Sequence, residues 1–148
     1  MCIRDRLLFN SSDLKNSNNV LYRYRPSPDR EQLWYVVRDL GTALGETGRV
    51  GPRRGDIDAF ERTRFILGVT QGHVRFDYHG FHRELVEGRV TPADVRWATT
   101  LLAGLTMDQW RDAFRAGGFE PATAERFIRR IQARIQEGRA LGDRDRGN

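Results

Sequence analysis

The chain has 148 residues, of which 39% are hydrophobic and 30% are charged, a composition typical of one compact soluble domain. No stretch approaches the roughly 20 consecutive apolar residues that a membrane-spanning helix needs, so we expect no membrane span. Cys2 is the single cysteine, which excludes an internal disulfide and a cysteine-rich zinc site.

The formal net charge is +5, because 25 Lys and Arg residues outnumber 20 Asp and Glu residues. Lys15 is the only lysine, and the arginines are interspersed with acidic residues along the chain. Interspersed charge lacks the clustering of a nucleic-acid-binding surface, so the composition does not favour nucleic acid as a partner. The lone lysine lies in residues 10–19, a polar segment that also holds four of the five asparagines.

The first six residues read Met-Cys-Ile-Arg-Asp-Arg. This segment resembles the translation of a transposase mosaic-end adapter used in sequencing libraries. We therefore interpret residues 1–6 as an adapter artefact and expect the natural protein to begin upstream of them.

A β-hairpin is predicted over residues 20–38. Residues 20–24 and 33–38 are rich in β-branched and aromatic types, and a polar connection with two prolines separates them. We expect the hairpin to place Trp34 or Tyr35 against the helical part of the chain.

The next segments predict a loop, a helix and a second hairpin. Five glycines and Pro52 make residues 41–55 too flexible for a regular element, so we expect a mobile loop. A helix is predicted from Asp56 to about Leu67, followed by strands at 74–78 and 81–85.

Three further helices are predicted to complete a helical subdomain over residues 56–142. Thr91 followed by Pro92, and Thr106 with Gln109, are helix-start signals, and Pro121 is expected to open the last helix. In that last helix the expected inward-facing residues are Phe127, Ile128, Ile131 and Ile135. Residues 143–148 are predicted to be a disordered tail.

Two short motifs in the N-terminal third carry the functional prediction. Asp13-Leu14-Lys15 is followed by Asn18, and Asp39-Leu40-Gly41 comes after the predicted hairpin. The two motifs resemble the catalytic loop and the metal-binding turn of the protein-kinase-like superfamily, in the same order and with a hairpin between them.

The resemblance implies a role for each of these residues. Asp13 is the expected base that accepts the proton of a hydroxyl acceptor, and Lys15 is expected beside the transferring phosphate. Asn18 and Asp39 are the expected magnesium ligands, and Gly41 permits the turn that directs Asp39. The implied cofactors are Mg²⁺ and ATP, and the identity of the hydroxyl acceptor stays open.

The departures from the motif favour an atypical member of the superfamily, lipid-kinase-like or bacterial. Asn10-Ser11-Ser12 replaces the usual His-Arg pair before the base, and Leu40 replaces a phenylalanine. The implied fold is α+β and mainly α, with two small hairpins before a helical subdomain, as in a kinase C-terminal lobe over residues 7–142. Its parts are the catalytic loop 10–19, the hairpin 20–38, the metal turn 39–41 and the Gly-rich loop 41–55. A single lobe is expected to be inactive alone.

The alternative function is a non-catalytic helical module that binds protein or nucleic acid through arginine-rich faces. The last helix carries four arginines that we expect on its outer side, where a solvated surface is the simpler interpretation: Arg126, Arg129, Arg130 and Arg134. Residues 10–19 have the composition of a plain polar turn as well. The histidines His73, His79 and His82 are interpreted as structural or surface residues, because no cysteine accompanies them.

Overall fold

The computed structural model describes residues 3–37 and 41–142, and the fold is α+β with two small antiparallel strand pairs. The helices in these ranges are α1 (Ile3–Leu8), α2 (Ile57–Arg62), α3 (Pro92–Ala103), α4 (Met107–Ala116) and α5 (Pro121–Arg139). The strands are β1 (Asn19–Ser27), β2 (Arg30–Val37), β3 (Ile66–Thr70) and β4 (His73–Phe76). Single 3-10 turns span Asn16–Asn18 and Arg83–Leu85. The predicted α+β class with two hairpins is confirmed.

The first hairpin is longer and more tightly turned than expected. Strands β1 and β2 pair from Asn19 with Val37 to Ser27 with Arg30, so only residues 28–29 form the connection. The predicted long polar connection is therefore wrong. An irregularity in register between Tyr24 and Ser27 accommodates Pro26, which cannot donate a ladder hydrogen bond.

The first hairpin is exposed on both faces. Five of its large side chains are 40% to 62% exposed: Leu21, Tyr22, Tyr24, Leu33 and Trp34. The Trp34 ring packs on Tyr24, with a centroid distance of 5.4 Å, and is 54% exposed, so Trp34 is not the buried contact with the helices that was one of the two expected. The side chain of Tyr35 lies outside the described part of the structure.

The predicted helix 56–67 is too long. Helix α2 begins after its N-cap Asp56 and ends at Arg62, and the Thr63 hydroxyl lies within hydrogen-bond distance of the Ala59 and Phe60 carbonyl oxygens. Thr63 itself is extended, and β3 begins three residues later, at Ile66. The extended Thr63 therefore separates the two elements.

The second hairpin lies earlier in the chain than predicted, because β3 and β4 pair with each other and the predicted strands were 74–78 and 81–85. Thr70 pairs with His73, and Gln71 and Gly72 between them have φ values of 51° and 75°. Two successive positive φ values are typical of the tight turn that matches strand twist. The predicted strand 81–85 is wrong, because residues 83–85 form a 3-10 turn.

The three C-terminal helices begin where the sequence predicts. Thr91 and Thr106 form reciprocal capping boxes with Asp94 and Gln109, and Pro121 is the first residue of α5. The predicted inward residues of α5 are fully buried in one continuous core: Phe127, Ile128, Ile131 and Ile135. No helix in the described ranges combines the length and apolar character needed to cross a membrane.

Arg134 is buried, and its prediction as an outer residue is wrong. Its guanidinium donates to the carbonyl oxygens of Leu8, Phe60 and Thr63 and to Oδ1 of Asn10, at 2.8 to 3.1 Å. It also lies over the Phe60 ring, 4.1 Å from the ring centroid. The helix period places Arg134 on the apolar face of α5, three residues after Ile131, but it gives no sign of the acceptors that a buried arginine needs, because these come from distant segments of the chain.

Replacing Arg134 by alanine should destabilise the fold by about 3 kcal/mol or more, because several buried acceptors lose their donor together. Urea unfolding measures this free energy. Arg129→Ala is the matched control, since Arg129 is exposed on the same helix, and it should change stability by less than about 0.5 kcal/mol. Equal stability of the two variants would contradict the assignment of Arg134 to the core.

Candidate functional site

Three of the predicted site residues lie together in the loop between α1 and β1. Oδ2 of Asp13 is 3.3 Å from Nζ of Lys15 and accepts a hydrogen bond from Nδ2 of Asn18 at 3.4 Å. Oδ1 of Asp13 accepts from the backbone N–H of Lys15 at 3.1 Å, an Asx-type turn. The loop therefore places a carboxylate, an ammonium and an amide side by side.

Arg6 fixes the backbone of this loop. Its guanidinium donates to the carbonyl oxygen of Asp13 at 2.7 Å and to that of Asn18 at 3.1 Å, and the side chain is fully buried. One planar guanidinium thus fixes two positions five residues apart. Arg6 belongs to the segment interpreted as an adapter, which stays a prediction, but in this chain it is a structural part of the site.

Asp13 is held in its charged form. Partial burial pushes the pKa of Asp13 upward, but the hydrogen bonds and positive charge of Lys15, together with His82, outweigh burial and lower the pKa below its ordinary value. An ionised carboxylate is the state that can accept a proton. Its side chain is 19% exposed, so a ligand can reach it.

The Gly-rich loop 41–55 packs against the site rather than moving freely. It contains no helix or strand, as predicted, but Ser11 and Thr42 hydroxyls lie 3.2 Å apart and the Gly48 N–H donates to Oγ of Ser12. Gly45 accepts from Nδ2 of Asn10, and a Cβ at Gly45 would overlap the carbonyl of Arg53. The expected mobility of this loop is not supported by these contacts.

A second segment, residues 78–82, approaches the loop from the other side. The Tyr78 hydroxyl is 2.9 Å from the Ser12 carbonyl oxygen and 2.7 Å from that of Phe81, and burial raises the pKa of this hydroxyl. The Phe81 N–H also donates to the Ser12 carbonyl, which makes a parallel bridge between Asp13 and Phe81. Gly80 permits this approach, since a Cβ there would overlap Ser12 and Tyr78.

This approach brings a residue to the site that the sequence analysis treated as structural. Nε2 of His82 lies 4.0 Å from Oδ1 of Asp13, and Nδ1 lies 3.3 Å from Oε1 of Glu84. His82 has a left-handed backbone with φ of 60°. The sequence near His82 gives little indication that it approaches Asp13, beyond a histidine two residues after a glycine. His82 lies 69 positions after Asp13, and no short motif connects the two residues.

Asp39, the other predicted magnesium ligand, lies outside the described residues. Gly41 is described and exposed. Within residues 3–37 and 41–142, no three His, Cys, Asp or Glu side chains are grouped so that they could hold a metal ion. Asn18 donates its amide N–H to Asp13, which leaves its carbonyl oxygen directed away from that carboxylate. Amide oxygens are hard ligands that suit Mg²⁺.

No protein-family model matches the chain, and no curated protein or solved structure matches it.

Replacing Tyr78 by phenylalanine should destabilise the chain by about 1 kcal/mol, because a buried hydroxyl that joins two loop carbonyls is lost. Tyr24→Phe is the control, since Tyr24 is 51% exposed on the first hairpin. Urea unfolding should therefore separate the two variants. A Tyr78→Phe variant as stable as Tyr24→Phe would show that the hydroxyl does not hold residues 78–82 to the site.

Proposed function

We propose that residues 7–142 form the C-terminal lobe of an ATP- and magnesium-dependent phosphotransferase, an atypical member of the protein-kinase-like superfamily. The observation that carries the proposal is the contact of Asp13 with both Lys15 and Asn18 in one loop. Phosphoryl transfer depends on positioning and on neutralising charge, and these three side chains supply a base, a cation and an oxygen ligand.

The surroundings of the predicted metal turn support the proposal. Val37 pairs with Asn19, the last residue of the predicted catalytic loop, and the Ser12 N–H lies 3.4 Å from the carbonyl oxygen of Thr42. Residues on both sides of the segment 38–40 are thus bonded to the loop that holds Asp13 and Asn18. A hairpin that leaves this loop and returns to it is the arrangement that the resemblance implies.

Each residue has a defined task in the proposed reaction. Asp13 accepts the hydroxyl proton of the acceptor, and its low pKa keeps it ionised for that purpose. The Lys15 ammonium is 43% exposed beside it and can neutralise a transferring phosphate. Asn18 and Asp39 would hold magnesium, which neutralises phosphate charge when it is bound. Arg6 and Tyr78 keep the loop backbone fixed.

The alternative of an arginine-rich binding module has less support in the contacts. Arg126 is ion-paired with Asp58 and Glu61, and Arg130 donates to the Thr63 carbonyl. Arg134 is buried. Of the four arginines that were to form the binding face of α5, these three are engaged within the chain.

The 148-residue chain should bind ATP weakly and only with magnesium, with a Kd no tighter than about 1 mM. The superfamily binds the nucleotide between two lobes, and the proposal assigns only one lobe to these residues. Isothermal titration calorimetry with Mg²⁺ or with EDTA measures this binding. Tight binding, or binding that survives EDTA, would contradict the proposal.

Asn18→Ala should abolish the magnesium-dependent part of this binding, because the amide oxygen is lost. Gln136→Ala is the control, since it removes an exposed amide from α5 without touching the loop. Equal ATP binding by the two variants would contradict the role of Asn18 as a magnesium ligand.

In the complete enzyme, Asp13→Ala should lower turnover about 10²–10⁴-fold while ATP still binds, because only the base is lost. Asp39→Ala should lose metal-dependent nucleotide binding as well. Steady-state kinetics and calorimetry distinguish the two variants. The control Arg129→Ala should change turnover by no more than about twofold, because surface substitutions usually have small effects. Full turnover of Asp13→Ala would exclude it as the base.

A further inference from the structure

Helix α3 carries apolar side chains on two different faces. One face is buried in the core and consists of Val95, Ala98, Thr99 and Leu102. It lies against α5, which comes so close that a Cβ at Gly138 would overlap Thr99. The other face holds the exposed side chains of Trp97 and Leu101, one helical turn apart. A helix that is apolar all round is normally buried on all sides, so a further surface is expected to cover this face.

The exposed face continues past the end of α3. The Leu105 N–H donates to the Leu102 carbonyl oxygen at 3.2 Å, which keeps Leu105 beside the last turn of the helix. Four large side chains of the face are 39% to 53% exposed: Trp97, Leu101, Leu105 and Met107. Residues 97–107 include no charged residue, in a chain of which 30% is charged. A contiguous apolar patch without charge is typical of a surface that contacts another protein.

The shape of this face suits a second copy of the chain. The large side chains of Trp97 and Leu101 lie beside the small exposed residues Thr100 and Gly104. Two α3 helices can lie antiparallel about a two-fold axis that passes between residues 100 and 101. Trp97 then faces Gly104 of the second copy, and Leu101 faces Thr100 of the second copy. Because a large side chain meets a small one at each step, the two helices can approach closely.

The distribution of charge also favours a second copy. Two chains with a net charge of +5 repel each other, so a surface that joins them has to be free of charge. In the antiparallel arrangement, Asp94 and Arg96 of α3 face Met107 and Leu105 of the second copy, so no like charges meet. A strongly acidic or basic partner would instead bury its own charges against an apolar face, which is unfavourable.

We propose that the exposed face from Trp97 to Met107 is a self-association surface, through which two copies of the chain form an antiparallel, two-fold symmetric dimer. This dimer does not depend on the proposed phosphotransfer. Four half-exposed side chains cover less than the roughly 800 Å² per partner of a standard interface, so the dimer is weak and forms at high protein concentration.

Sedimentation equilibrium of the 148-residue chain tests the proposal. The mass should rise from 17.1 kDa toward twice that value as the concentration increases from about 10 µM to about 1 mM. Leu101→Lys should weaken association about tenfold or more, because it places a charge in the contact. Leu33→Lys is the matched control, since Leu33 is 62% exposed on the first hairpin, and it should dimerise as the unmodified chain does.

Two outcomes of this experiment would overturn the proposal. One is a chain that stays monomeric at every concentration. The other is a dimer that Leu33→Lys weakens as much as Leu101→Lys does, because the contact would then involve the first hairpin.

Disulfide cross-linking tests the arrangement of the two helices without placing a charge on the face. Thr100→Cys, combined with Cys2→Ser, puts one thiol beside the two-fold axis, so oxidation at high concentration should join two chains. Ala93→Cys with Cys2→Ser is the control, because two copies of residue 93 lie about 22 Å apart along the antiparallel helices, too far for a disulfide. Non-reducing gel electrophoresis measures the joined fraction. Equal cross-linking of the two variants would overturn the antiparallel dimer.

Discussion

The buried guanidinium of Arg134 is the interaction on which the arrangement of this chain depends. The carbonyl groups at a helix C-terminus have no partner within the helix and attract positive charge. Arg134 bonds Leu8 at the end of α1 and Phe60 and Thr63 at the end of α2. Burial, with the nearby Arg130, lowers the pKa of Arg134 to about 9, so the group stays charged at neutral pH. One side chain of α5 therefore holds two other helix ends in place.

Asn10 connects the loop that holds Asp13 to the Arg134 guanidinium. Arg134 donates to the side-chain Oδ1 of Asn10 at 2.8 Å, while Nδ2 of Asn10 donates to the Gly45 carbonyl oxygen and to the Thr63 hydroxyl. Asn10 has a positive φ of 54°, a conformation that asparagine tolerates better than most residues. Residues 10–19 and the Gly-rich loop are thus bonded to one fixed point beside the core. This explains why residues 41–55 pack closely despite a composition that predicts mobility.

Sequence reasoning succeeded where the determinants are local. The capping boxes at Thr91 and Thr106 are four-residue signals, and the apolar stripe of α5 repeats within one helix, so both could be read directly. The second hairpin was misplaced because His79-Gly80 looks like a turn as much as Gln71-Gly72 does. Only the tertiary contacts of Tyr78 and Gly80 with Ser12 exclude a turn at His79-Gly80.

The candidate site was only partly predictable for the same reason. Asp13, Lys15 and Asn18 lie within six residues, and their grouping follows from the loop. The approach of His82 depends on a parallel bridge between Asp13 and Phe81, which no pattern in a single sequence indicates. The burial of Arg134 likewise depends on acceptors more than 70 residues away. Long-range polar contacts are thus what sequence periodicity misses here.

The buried side chains that fix the loop around Asp13 and the exposed side chains beside Asp13 are distinct sets. Arg6 and Tyr78 are buried and bond backbone carbonyls, so they determine where the loop lies. The side chains of Lys15 and His82 are each more than 40% exposed. Changes to buried donors carry the full cost of unsatisfied backbone groups, whereas changes to exposed charges near water cost little. Substituting Lys15 or His82 should therefore leave the chain folded, whereas substituting Arg6 or Tyr78 should destabilise the loop that Asp13 occupies.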